Sequence, residues 1–165
     1  MPNTIDLFDS TLRESKPEVH ADMQPGVKIR FGTPDDLRQW FSWRNGQPFR
    51  SERELFGTYT FVNYETAIAE LSHMRSTLWK SPLNFLILLL LNRRVFYTIP
   101  LLTDIAGDGY CYDLIRRRPY YRFKGERDVP IPTFEDFLRF LIDYVQQEST
   151  NGAQSVEERF LQPLY

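Results

Sequence analysis

The order of patterned segments predicts an α+β fold. Helical periodicity marks both ends of the chain, extended segments cluster between them, and the regular strand–helix alternation of a doubly wound sheet is missing. Length and composition bound the class further. The 165 residues suit one domain, within the usual range of about 100–200, and a chain of that size can fold without disulfides or a structural metal. With 42% hydrophobic and 25% charged residues, the balance is that of a globular protein rather than a disordered one. The expectation is a single domain over 1–165, a mixed central β-sheet flanked by helices.

Near the start, Ile5, Phe8 and Leu12 recur at spacings of three and four and predict an entry helix over 4–14. His20 to Gly32 contains Pro25-Gly26 and reads as a loop with a short extended piece at 27–31. Thr33-Pro34-Asp35-Asp36 then carries the marks of a helix start: Thr33 as N-cap, Pro34 at N1, where its missing N–H is harmless, and Asp36 at N3, facing the positive end of the dipole. Leu37, Trp40, Phe41 and Arg44 follow at helical spacing and Asn45-Gly46 supplies a left-handed stop, so a helix is expected over about 34–45. Gly57 to Val62 is rich in β-formers. Asn63 is placed to cap a further helix, with Ala67, Leu71, Met74 and Leu78 on one face, which Ser81-Pro82 interrupts.

The most apolar run, Phe85 to Leu91, is seven residues long, against about 20 for a bilayer span. It fits a buried strand or the inner face of a core helix, and 94–99 fits a strand or the end of an apolar helix. Asp108-Gly109 is a hairpin-type turn signal between apolar runs. Pro119 to Phe123 reads as extended, 124–128 as a charged turn, and Val129 to Ile131 as a short extended piece. Thr133, with Asp136 at N3, caps the last long helix, whose stripe is Phe134, Phe137, Leu138, Leu141, Ile142 and Val145. Ser149 to Gly152 ends it, and 155–158 has the composition of one more short helix.

The chemistry legible in the residues is sparse. Lys plus Arg number 20 and Asp plus Glu 22, a net charge of −2 that argues against a dedicated nucleic-acid binder. A single Cys111 excludes an internal disulfide, and two histidines, His20 and His73, leave little for a metal cage. The first residues carry neither a basic nor an apolar signal region, so a cytoplasmic protein with no membrane association is expected. Asp104, Asp108 and Asp113 around Gly107 and Gly109 suggest a calcium loop, but the required spacing and bidentate Glu are missing; these acids read as turn-stabilising. Arg116-Arg117-Arg118 with Tyr120, Tyr121 and Arg122 resembles a phosphate-tracking stretch, yet strand alternation and the flanking acids favour a sheet edge guarded by charge. Cys111, between Tyr110 and Tyr112, reads as a small buried hydrophobe, and neither histidine is placed as its base. Trp40 and Trp43 share one broad helix face between core and surface. No catalytic residue, metal ligand or cofactor is expected.

Three segments together resemble the SUKH superfamily. Thr33 to Gln47 is similar to its helix ending in Asn/Asp-Gly-Gln. Pro100 to Leu114 is similar to its central segment, where a Pro and aliphatics precede an acidic, glycine-containing turn and a strand ending in Asp-Leu. Thr133-Phe134-Glu135-Asp136-Phe137-Leu138 resembles its closing helix. The resemblance covers about residues 30–147. A departure lies at Tyr97-Thr98-Ile99, where many members place a Trp before the central segment. The resemblance implies a mixed α/β fold with no catalytic residues to transfer. It also implies an immunity-type protein that binds and neutralises a cognate bacterial toxin domain, or alternatively a regulatory interaction module related to fungal cell-wall-synthesis regulators. The resemblance implies that Asp104, Asp108 and Asp113 line a partner-facing surface, and because interfaces favour Trp, Tyr and Arg the candidate partner-binding residues also include Arg116, Arg117, Tyr120 and Trp43. The partner's identity and the oligomeric state are not written in the sequence.

Overall fold

Short β-rich segments in the middle of the chain pair with their sequence neighbours to form an antiparallel meander. Its strands are β1 (Thr60–Phe61), β2 (Thr98–Thr103), β3 (Gly109–Asp113), β4 (Arg118–Arg122) and β5 (Val129–Pro130), in that spatial order. The computed structural model describes residues 3–29, 32–48, 51–55, 59–79, 97–122, 128–148 and 160–161, without the side chains of 74, 75, 77–79 and 148. The helices are α1 (Thr4–Ser15), α2 (Pro17–Asp22), α3 (Asp35–Trp43), α4 (Tyr64–Trp79) and α5 (Phe134–Glu148). Helices outside a wholly antiparallel sheet make this an α+β fold. Among the described residues no helix is long and apolar enough to cross a membrane.

Strand alternation distributes the aromatic residues. Tyr110 and Tyr112 of β3 face α5, the first with its ring centroid 5.5 Å from Phe137 and 5.3 Å from Phe140, the second 6.3 Å from Phe134. Cys111 points to the opposite face. α1 packs on α5, and Trp40 of α3 joins the layers: it is buried, with its ring 6.4 Å from Phe8, 5.7 Å from Phe61 and 5.8 Å from Phe137. β2 carries Pro100 in an interior strand, where a missing N–H would break the ladder. The register shifts between Pro100 and Leu102, a bulge that removes the need for that donor, and Leu101 O accepts from Val62 N at 3.0 Å.

Several boundaries differ from expectation. His20 to Asp22 belong to α2, started by Pro17 at its first turn, rather than to a loop. The N-cap of α3 is Pro34, not Thr33: Pro34 sits at ψ 144°, outside the helix, and no side-chain cap bond forms. The helix ends at Trp43 because Arg44 turns extended and bridges Pro25. The β2–β3 connection is the five-residue loop 104–108 rather than a two-residue Asp108-Gly109 turn, with Gly107 in the left-handed region at φ 88°. β4 is an interior strand because β5 pairs with it, so the charged stretch does not guard an edge.

Other expectations hold. Asn63 Oδ1 accepts from Thr66 N at 2.8 Å and caps α4. Thr133 Oγ1 accepts from Asp136 N at 3.0 Å at the start of α5, whose whole stripe is buried. The expected features at 81–82, 85–91, 124–127 and 149–158 lie outside the described residues, as do residues 94–96 of the 94–99 segment, from which Thr98 and Ile99 enter β2.

Candidate functional site

The candidate residues fall into separate places. Asp104 and Asp108 precede β3; Asp113 ends it, followed by Arg116 and Arg117 in the β3–β4 turn. A five-residue strand is about 16 Å long at ~3.3 Å per residue, so Asp104 and Asp108 lie at one end of β3, Asp113, Arg116 and Arg117 at the other, and they make no common patch.

Each end has its own internal bonding. In the first loop, Asp104 N donates to Asp108 O at 2.9 Å, Asp108 N donates to Asp104 Oδ1 at 2.8 Å, and Arg122 donates to Gly107 O at 2.9 Å. In the other turn, Asp113 Oδ1 accepts from Ile115 N and Arg116 N, each at 2.9 Å, while Arg117 takes φ 52° to close it. The turn-stabilising reading of Asp104 and Asp113 is therefore the observed one.

Burial removes two candidates from any surface. Tyr120 is 4% exposed with its hydroxyl 2.7 Å from Thr98 Oγ1, and Asp113 is 5% exposed. Strand alternation puts Tyr120 on the inner side of the sheet face shared with Cys111, and the turn encloses Asp113. Trp43 is half-buried; its Nε1 donates to Asp9 Oδ1 at 2.7 Å, beside His20 Nε2 at 3.1 Å and the Arg44 guanidinium. Burial raises the Asp9 carboxyl, but the Trp43 and His20 hydrogen bonds and the His20 and Arg44 charges outweigh it and hold it below the usual range. Trp43 thus fixes α1 against α3. Arg116 and Arg117 remain exposed.

No protein-family model matches the chain, and no curated protein matches it.

A recess the sequence left unnoticed is a cleft of about 670 Å³ lined by Gln47, Pro48, Ser51 and Glu54, by β1, by the start of α4 and by the β2–β3 loop. Its floor holds Phe61 and Val62, and Glu54, Glu70 and Asp104 supply its charge. Burial pushes the Glu70 carboxyl up, against the opposing effect of Arg122. At the rim stands Ile105, 98% exposed at the tip of the hydrogen-bonded loop. An aliphatic side chain inside an acidic, glycine-containing turn was the available signal for Ile105. Nothing local in sequence brings Glu54 and Glu70 to the same recess.

Chemically, the cleft offers oxygen acceptors and negative charge beside an apolar anchor. Cys111 lies elsewhere, fully buried, its thiol pushed up to about 11 chiefly by burial and surrounded by Arg122, Asp128, Tyr120 and Glu70. His20 is engaged with Asp9 and Arg44, and His73 is exposed on α4. Among the described residues no group of three His, Cys, Asp or Glu is arranged to hold a metal ion.

Proposed function

We propose that the protein acts without catalysis, by binding a partner protein, and that the partner is the cognate toxin domain of an immunity pair, as the SUKH resemblance of segments 33–47, 100–114 and 133–138 suggests. The observation that carries the binding reading is Ile105: an almost wholly exposed aliphatic residue held on a loop tied by backbone and side-chain hydrogen bonds. An apolar side chain kept in water by a pre-ordered loop has little conformational entropy left to lose on docking, so its burial against a partner is favourable. The cleft beside it gives that anchor a polar, charged surround. Neutralisation would be stoichiometric, by covering the toxin's active site or substrate surface in the cytoplasm.

The test is purification of the tagged protein from its native cells. The reading predicts one partner held at equimolar ratio, whose toxicity disappears on mixing with the purified protein. Several weakly held partners and unchanged toxicity would favour the regulatory-module alternative instead.

A further inference from the structure

We propose that the 670 Å³ cleft receives a cationic side chain, arginine or lysine, from a basic surface of the partner protein, with Ile105 seated in an apolar pocket next to it. The proposal rests on the protein-binding reading above and adds the partner's chemistry.

Two independent features of the lining point to a cation. The first is the hydrogen-bonding direction. Gln47 Nε2 donates to Asp22, Ser51 and Arg53 O; Ser51 Oγ donates to Asp22; Asn63 Nδ2 donates to Gln47 O; Thr60 Oγ1 donates to Thr103 O; and Thr103 Oγ1 donates to Asp104 O. These donors are committed inside the fold, whereas Glu54 and Glu70 are exposed residues whose carboxylates only accept, so an occupant that brings donors of its own suits the lining. The second is charge. Three carboxylates line the cleft, and among the described residues that line it there is no lysine or arginine. A guanidinium or ammonium supplies only donors and a positive charge, with a hydrocarbon stem suited to the Phe61 and Val62 floor. A cleft of this size lies within the range of about 300–1,000 Å³ typical of pre-formed binding sites. An arriving cation adds to the Arg122 charge in favouring the ionised Glu70 carboxylate, which partial burial disfavours.

The probe is a blocked pentapeptide, glycine–arginine–leucine–arginine–glycine, against its isostere with both arginines replaced by neutral citrulline. Each is titrated into the isotopically labelled full chain. The expected result is saturable shifts at the Ile105 methyls and the Thr60, Thr66 and Thr103 amides. Binding should be at least tenfold weaker for the citrulline peptide and at least tenfold weaker for the Glu54→Gln/Glu70→Gln variant. Both glutamates are exposed residues, so unchanged spectra elsewhere will establish that the variant is folded. No shifts at millimolar peptide, shifts spread over unrelated acids such as Asp6 and Glu14, or equal binding of the two peptides would overturn the proposal. Its failure is separable from that of the immunity reading: a neutralised toxin with a silent cleft leaves binding through another face, whereas a responsive cleft without neutralisation leaves the cation site and removes the toxin.

Discussion

Gly46 sits at φ 72°, and a Cβ there would lie 2.5 Å from Val62 O. Its two neighbours are buried polar residues that tie three elements together. Asn45 Oδ1 accepts from Tyr64 N at 2.8 Å, and Gln47 Oε1 accepts from Phe61 N at 2.9 Å. The Asn45-Gly46-Gln47 sequence therefore does more than stop a helix: it fastens the chain after α3 to β1 and the start of α4. Gly46→Ala should destabilise the fold by about 2–4 kcal/mol, from left-handed strain plus backbone collision, read as a lower midpoint in urea with an unchanged slope. A shift below about 0.5 kcal/mol would show that the segment can move away. A second prediction belongs to Asp9. Its carboxyl titrates lower in the folded chain than its ordinary value, so the unfolded chain takes up the proton first as pH falls. The stabilisation is full above about pH 4, the unfolded value, and is lost as pH falls through the folded one. Asp9→Asn should cost about 1–3 kcal/mol at pH 7, and that difference should shrink below pH 4 in denaturation curves taken from pH 7 to 2. The glycine was visible in the sequence as a turn residue; its packing against Val62 was not, because those residues lie sixteen positions apart.

At the scale of elements, α5 organises the core. Its buried stripe was legible from the 3.6-residue period, and so was its Thr133 cap, because both depend on local spacing. The two should separate energetically. Phe137, fully buried against Trp40 and Tyr110, should lose about 3–5 kcal/mol as alanine, whereas Thr133→Ala should lose only about 1 kcal/mol. Equal losses in thermal denaturation would contradict this division. The β-hairpin ends were less legible. Asp108-Gly109 is a strong two-residue turn signal, but Asp104 captures Asp108 N–H across a longer loop and Gly107 takes the left-handed position. Likewise, a charged, aromatic strand such as 118–122 looks like an edge until a two-residue partner, Val129–Pro130, is seen to pair with it. Turn length and strand order depend on long-range pairing, and local propensity does not encode them.

For the whole molecule, α+β architecture followed from segment order, while the placement of function did not. Asp104, Asp108, Arg116 and Arg117 look contiguous in sequence, but β3 separates them into two ends, and Tyr120 and Asp113 are consumed by the interior. What the fold assembles instead, from Glu54, Glu70, Asp104 and Ile105, draws on three distant stretches of chain. The function we propose is neutralisation of a partner bound through the Ile105 loop and its cleft. The most direct measurement is titration of the co-purified partner's activity with this protein and with its Ile105→Asp variant. The account predicts a linear loss of activity ending at one equivalent for the wild type, and at least tenfold weaker inhibition by the folded variant. Full partner activity at excess wild type, or equal inhibition by both proteins, would contradict it.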